Sequence, residues 1–141
     1  MSDNEIKTTP TRPYMARAIY EWICDNNLTP YLLVDAKQPH TQVPMEFVQD
    51  GQIVLNTAPH AVKGFVMSND LIQFSARFGG VSRDIFIPYY ALLGIYAREN
   101  GQGLFFDPNE YDDIQIETDE VESKSEQTEA PKKKPSLRLL D

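Results

Sequence analysis

Few side chains in this sequence are capable of chemistry, and they are scattered. A hydrolase needs a nucleophile beside a base. A metal site needs His, Cys, Asp or Glu at ligand spacing, and a phosphate loop needs glycines leading into Lys-Ser/Thr. The two histidines, His40 and His60, each follow a proline in an expected loop, and neither has a cysteine or carboxylate at metal-ligand spacing. The one cysteine, Cys24, lies in a greasy helical segment and reads as a small buried hydrophobe. The acid pair Asp112-Asp113 stands in a segment where nothing preorganises it, and the glycines at 79-80 and 101-103 precede no Lys-Ser/Thr. No enzyme, metal or cofactor is expected.

Binding is the chemistry that remains. In "LIQFSARFGGVSRDIFIP", Ile72, Phe74, Ala76 and Phe78 alternate with Gln73, Ser75 and Arg77, as on a strand with one apolar face. Ala76 between two phenylalanines leaves a dent, Gly79-Gly80 supplies a turn, and Arg83 follows it. An apolar groove with a basic lip suits an extended, acidic or polar peptide. The plainer reading of Phe-x-Ala-x-Phe is a core strand, and both readings stand at this point.

The elements that must position these residues follow from composition and period. The 141 residues carry a net charge of -8, unevenly spread. Residues 1-106 hold 10 acids and 8 bases, residues 107-130 hold 10 acids and one lysine, and residues 131-141 hold four bases and one acid. This describes a near-neutral domain with a charged tail, and a near-neutral domain has no broad field to draw nucleic acid or an anionic membrane. A single cysteine permits no intrachain disulfide, and no apolar run reaches the roughly 20 residues of a membrane helix. A soluble, cytoplasmic protein is expected.

"TRPYMARAIYEWICDNN" predicts a helix, with Thr11 as cap and Pro13 in the first turn. Met15, Ala18, Ile19, Trp22 and Ile23 form an expected apolar stripe, and Tyr14, Ala16, Tyr20 and Cys24 extend apolar character to its flanks. Such a helix needs cover on more than one side, from a core alone or from a core and a partner chain. Beyond it, "YLLVD", "QVPMEFV", "QIVLN", "LIQFSARF" and "RDIFIP" read as short strands, with "KQPH", Asp50-Gly51, "TAPHAVKG", Ser68-Asn69-Asp70 and Gly79-Gly80 as turns. A short helical turn at Tyr89–Leu92 and a hairpin closed by "NGQG" complete a small barrel or sandwich. From Asp107 onward the high charge and scarcity of large apolar side chains predict disorder.

"RPYMARAIYEWICDNNLTPYLLVD", "QVPMEFVQDGQIVLN", "FSARFGGVSRDIFIP" and "IYARENGQG" together resemble the stringent starvation protein B family, bacterial adaptors of the ClpXP protease. The similarity runs through residues 12-107 and resumes at "PSLRLLD". It implies an α+β, mostly β fold: an N-terminal helix, then a strongly bent Sm-like antiparallel sheet or partial barrel, then a disordered C-terminal tail. The implied layout is a flexible N-terminus at 1-11, a peptide-binding and dimerisation domain at 12-110, an acidic linker at 111-134 and a docking motif at 135-141.

The implied partners are ssrA-tagged peptides, the zinc-binding N-terminal domain of ClpX and a second copy of the chain, with no membrane. Carried onto this sequence, the groove falls on Phe74, Ser75, Ala76, Val81, Ser82 and Arg83, joined by Met45 and Phe47 on a neighbouring strand and Asn56 at the end of another. The dimer contact falls on Tyr14, Ala16, Arg17, Tyr20 and Cys24, and the ClpX contact on Leu137, Arg138, Leu139 and Leu140. The family often ends in Arg-Val-Val-Lys where this chain has Arg-Leu-Leu-Asp, so the apolar pair is kept and the charge of residue 141 is reversed. Sm-like sheets also bind RNA, which makes an RNA-binding module the alternative; the near-neutral domain and acidic tail speak against it.

Overall fold

A computed structural model describes residues 6–107 and Tyr111. The expected linker beyond Tyr111 and the motif at Leu137, Arg138, Leu139 and Leu140 lie outside the described residues.

Among the described residues one α-helix, α1, spans Arg12–Asp25. Pro13 sits in its first turn, where a missing N–H leaves no helical bond unmade. Thr11 precedes the helix and its carbonyl accepts the Met15 N–H at 2.9 Å, but its side chain makes no cap bond, so the expected cap is replaced by backbone alone. At the other end Asn27 takes a positive φ of 60°, the Asn27 N–H reaches the Cys24 carbonyl at 3.0 Å and the Leu28 N–H reaches the Ile23 carbonyl at 3.0 Å. These are the two bonds of a Schellman stop.

Seven strands follow among the described residues: β1 (Pro30–Asp35), β2 (Gln52–Asn56), β3 (Val62–Met67), β4 (Leu71–Phe78), β5 (Val81–Pro88), β6 (Leu92–Ala97) and β7 (Gly103–Phe105). The fold is therefore α+β and mostly β, as expected. The strands divide into two antiparallel sheets, ordered β2-β1-β6-β7 and β3-β4-β5. The turn at Tyr89–Ala91 and the β6–β7 hairpin stand where the sequence places them, with Gly101 at φ 75° in the hairpin turn.

Two expected elements differ. "QVPMEFV" is not a strand: Met45–Phe47 is a 3-10 turn, with the Phe47 N–H bonded to the Pro44 carbonyl at 3.0 Å. Pro44 has no N–H for a ladder, and the backbone of the segment bridges a sheet at Gln42, opposite Phe86. Conversely, part of "TAPHAVKG" is not a turn but the start of β3. Gly64 at φ 64° breaks its register between Lys63 and Val66, which hides the period of two.

The core lies between the sheets and under α1. Leu32, Val34, Ile72, Ile85, Ile87, Leu92 and Ile95 are wholly buried, each worth about 1.5–3 kcal/mol of transfer free energy. The helix presents Ala16, Ile19, Tyr20 and Ile23 to this core, whereas Met15, Ala18 and Trp22 of the expected stripe face solvent.

A buried arginine closes the structure. Arg12, 2% exposed, donates from Nη1 to the carbonyls of Tyr89 (3.1 Å) and Leu92 (3.0 Å) and from Nη2 to that of Asp107 (2.6 Å). Its guanidinium lies 4.8 Å from the ring centres of both Phe106 and Tyr111. Burying a charge is costly unless it is hydrogen-bonded, and here three carbonyls from two segments and two ring faces take the place of water.

Candidate functional site

Along β4 the inner face runs Ile72, Phe74, Ala76 and Phe78. The first two are buried and the last two half-buried, so the core ends at Phe74 and the face emerges into solvent beyond it. Across the ladder Ala76 pairs with Arg83 on one side and Val62 on the other, and Phe78 pairs with Val81. Gly79 and Gly80, at φ 60° and 83°, make the hairpin turn in a conformation that other residues rarely adopt.

Two clefts flank this emergent end. The larger, about 530 Å³, lies between β2 and the hairpin and is walled by Leu33, Phe47, Ile53, Val54 and Phe78, with Asp50 at its edge. The Phe47 and Phe78 rings meet there at 5.7 Å. The smaller, about 300 Å³, lies at the start of β3 and is lined by His60, Val62, Lys63, Ala76, Arg77 and Ser82 among others. Its charged lining is basic, with no carboxylate. A shallower hollow of about 230 Å³ continues over the outer face past Lys63 and Ser75 to Asp84, where the Ser75 hydroxyl donates to the Asp84 carboxylate at 2.8 Å.

The expected groove residues divide between these features. Phe47, Ser75, Ala76 and Ser82 line the clefts. Met45 and Val81, 60% and 56% exposed, are not among the cleft-lining residues; Met45 shares a turn with Phe47, and Val81 pairs with Phe78. Phe74 is 4% exposed and packs on Phe65, so it is core with only an edge on the shallow hollow. Arg83 is not a free basic lip: it is ion-paired to Glu46, and that bond holds the Glu46 carboxyl below its ordinary pKa and pins the Met45–Phe47 turn against β5. Asn56 caps its own strand, accepting the Ala58 N–H at 3.0 Å.

Sequence reasoning missed Val54, Phe78, His60, Lys63 and Arg77 as lining. The alternation in "LIQFSARF" placed Phe78 on the apolar face and "QIVLN" read only as a short strand, but the packing of two sheets is what shows that Val54 and Phe78 border a cleft. The basic lip is Lys63 and Arg77, the latter bent onto the hairpin through the Gly80 carbonyl at 2.8 Å.

On α1 the expected contact residues also divide. Ala16 is wholly enclosed by this chain and offers no surface to a partner. Tyr20 stacks on Phe65 at 4.7 Å and donates to the Thr57 carbonyl at 2.9 Å; burial, then the nearby Cys24, pushes its pKa well up. Arg17 donates to the carbonyls of Met67 and Ser68 and to Asn69 Oδ1, with Tyr14 beneath it at 4.8 Å. Cys24 is half-buried and its thiol is pushed up by burial, away from the reactive thiolate. What the helix leaves open is an apolar face of Tyr14, Met15, Ala18 and Trp22, the three large side chains 41–49% exposed.

Among the described residues no three His, Cys, Asp or Glu side chains converge as metal ligands, and no helix is long and apolar enough to cross a membrane. The stringent starvation protein B family matches residues 10–138. A stringent starvation protein B homolog of Haemophilus influenzae is 50% identical, over 97% of this chain and 99% of its own length.

Proposed function

The chain belongs to the stringent starvation protein B family, and on that premise we propose that it is an adaptor, not an enzyme, that binds ssrA-tagged polypeptides and hands them to the ClpX unfoldase of ClpXP in the cytoplasm. The observation that carries this reading is the pair of clefts where the inner face of β4 leaves the core. Aromatic walls at Phe47 and Phe78, a dent at Ala76 and a basic rim at Lys63 and Arg77 suit an extended peptide, and such binding needs no cofactor.

Delivery is by tethering. The segment from Asp113 to Lys134 is 22 residues long, and a flexible chain of that length spans about 26 Å, more if its like charges repel. Leu137, Arg138, Leu139 and Leu140 at its end dock on the zinc-binding N-terminal domain of ClpX. The substrate is thereby held near the unfoldase at up to ~mM effective concentration, so each contact stays weak and reversible. The open face of α1 supports a homodimer through Tyr14, Met15, Ala18 and Trp22, which doubles both tags and tails.

The test titrates a labelled ssrA-tag peptide into the full chain and into a chain lacking residues 135–141, and follows degradation of a tagged substrate by ClpXP. Equal affinities with delivery lost on truncation are expected. Truncation that destroys tag binding would sink the two-part reading.

A further inference from the structure

Tyr111 is the last aromatic residue in the sequence and the only large apolar side chain between Phe106 and Ile114. Although β7 ends at Phe105, Tyr111 is half-buried and packs against the core, and the compact domain ends at this residue. Two groups form its seat. The Arg12 guanidinium lies 4.8 Å from its ring centre and is covered at the same distance by Phe106. Tyr90 meets it edge-on at 6.1 Å, and Tyr90 is itself fixed, its hydroxyl donating to the Pro39 carbonyl at 2.8 Å. A cation attracts a ring more strongly where water is excluded, and Arg12 is 2% exposed. The same guanidinium holds the chain a second time, at the Asp107 carbonyl, four residues earlier. None of Arg12, Pro39, Tyr90 and Phe106 lines the clefts at the β4–β5 hairpin.

We propose that Tyr111 is the anchor of the tether: its ring, seated between Arg12 and Tyr90, fixes the root of the tail on the domain, so that reach toward the unfoldase is counted from residue 112. This rests on the tethering reading above and assigns the residue that sets the tether's starting point. Without the seat the next hold on the chain is Asp107, and four more residues join the tether. A tail of full length is little affected, because the span of a flexible chain grows only as the square root of its length. A tail cut close to its limit is affected strongly, because its extended length then decides, and four residues add about 13 Å.

The test shortens the acidic segment step by step in the parent, in Tyr111→Ala and in Tyr111→Phe, and follows degradation of an ssrA-tagged substrate by ClpXP. The parent loses delivery below a limiting length. Tyr111→Ala is expected to tolerate about four further deletions, whereas Tyr111→Phe keeps the ring and follows the parent. Tag affinity is expected to be the same in all three, because the seat borders neither cleft. A merely structural role would lower the melting temperature and leave the limiting length where it was. A nitroxide on Asp113→Cys, in a chain carrying Cys24→Ser, reads the anchor directly, with slow motion expected in the parent and fast motion in Tyr111→Ala. One limiting length for all three chains, or a nitroxide equally fast in parent and variant, overturns the anchor and leaves the adaptor reading intact. A parent that delivers at no tail length overturns the adaptor reading, and the nitroxide then decides the anchor alone.

Discussion

Nη2 of Arg12 donates to the main-chain carbonyl of Asp107 at 2.6 Å, joining the first turn of α1 to the segment that follows β7. The same guanidinium stacks between Phe106 and Tyr111 and holds two further carbonyls around the 89–92 turn. The domain is thus closed by one side chain at the point where the proposed tether departs. Arg12→Leu leaves three carbonyls without their donor and is expected to cost about 3 kcal/mol in denaturant unfolding. Arg12→Lys should recover less than half of this, since the donors of an ammonium radiate from one nitrogen, whereas Arg12 reaches its carbonyls from two and lays a planar group against both rings. A loss under about 1 kcal/mol for Arg12→Leu would show the clamp to be dispensable.

Glu99 ties the start of β1 to the hairpin after β6. Its carboxylate accepts the Thr29 N–H at 2.9 Å and the Thr29 hydroxyl at 2.7 Å, and these bonds pull its pKa from an ordinary 4.5 down to about 2. A depressed folded pKa contributes stability that is complete above 4.5 and fades as pH falls toward 2. Glu99→Gln should therefore flatten the stability profile between those values, read from thermal melts against pH. An unchanged acid limb would mean that other carboxylates control it.

Substitution in the groove separates a binding wall from a core strand. Ala76→Gln fills the dent between Val62 and Arg83 and should weaken tag binding by more than tenfold, about 1.4 kcal/mol, with little loss of stability because Ala76 is only half-buried. Phe47→Ala, which strips the wall facing Phe78, should weaken it comparably. Unchanged affinities measured by fluorescence anisotropy would move the site elsewhere.

The open helix face carries its own test. Trp22→Glu should convert a dimer to a monomer by light scattering while leaving the melting temperature of the isolated chain nearly unchanged, because Trp22 is 41% exposed. Ala16→Glu, one helical face away, should instead unfold the chain, because it places a charge in the core. A monomeric parent protein would remove the need for a partner on this face.

Two glycines of the β6–β7 pair should respond differently to a methyl group. At Gly103 a Cβ would collide with the Ile95 carbonyl and come within 2.6 Å of Tyr96 Cα, both backbone, so Gly103→Ala is expected to cost about 2 kcal/mol or more. At Gly94 the nearest atoms belong to the Phe105 ring, a 61% exposed side chain stacked on Tyr96, so relief costs a ring contact and no backbone shift, and Gly94→Ala should cost less. Equal costs in chemical denaturation would contradict this.

Much of the candidate site was legible in the chain because its signals are local. The alternation of "LIQFSARF" gave the two faces of β4, and the glycine pair gave the turn. Val54 was not legible as a cleft wall, because a short strand does not say which of its faces borders a second sheet. Lys63 was lost for a different reason: the left-handed Gly64 interrupts β3, so the segment read as a turn.

Short-range chemistry fixed the helix, its Asn-rich stop, the strand-forming runs and the hairpin turns, since each depends on residues within a few positions. It left the phase of α1 open, for a helix apolar nearly all round has no face marked as inner. Packing against the sheets set that phase, enclosing Ala16 and Ile23 and leaving Met15 and Trp22 outside. The burial of Arg12 depends on carbonyls 77 to 95 residues away in sequence, which come together only when the chain has folded around them.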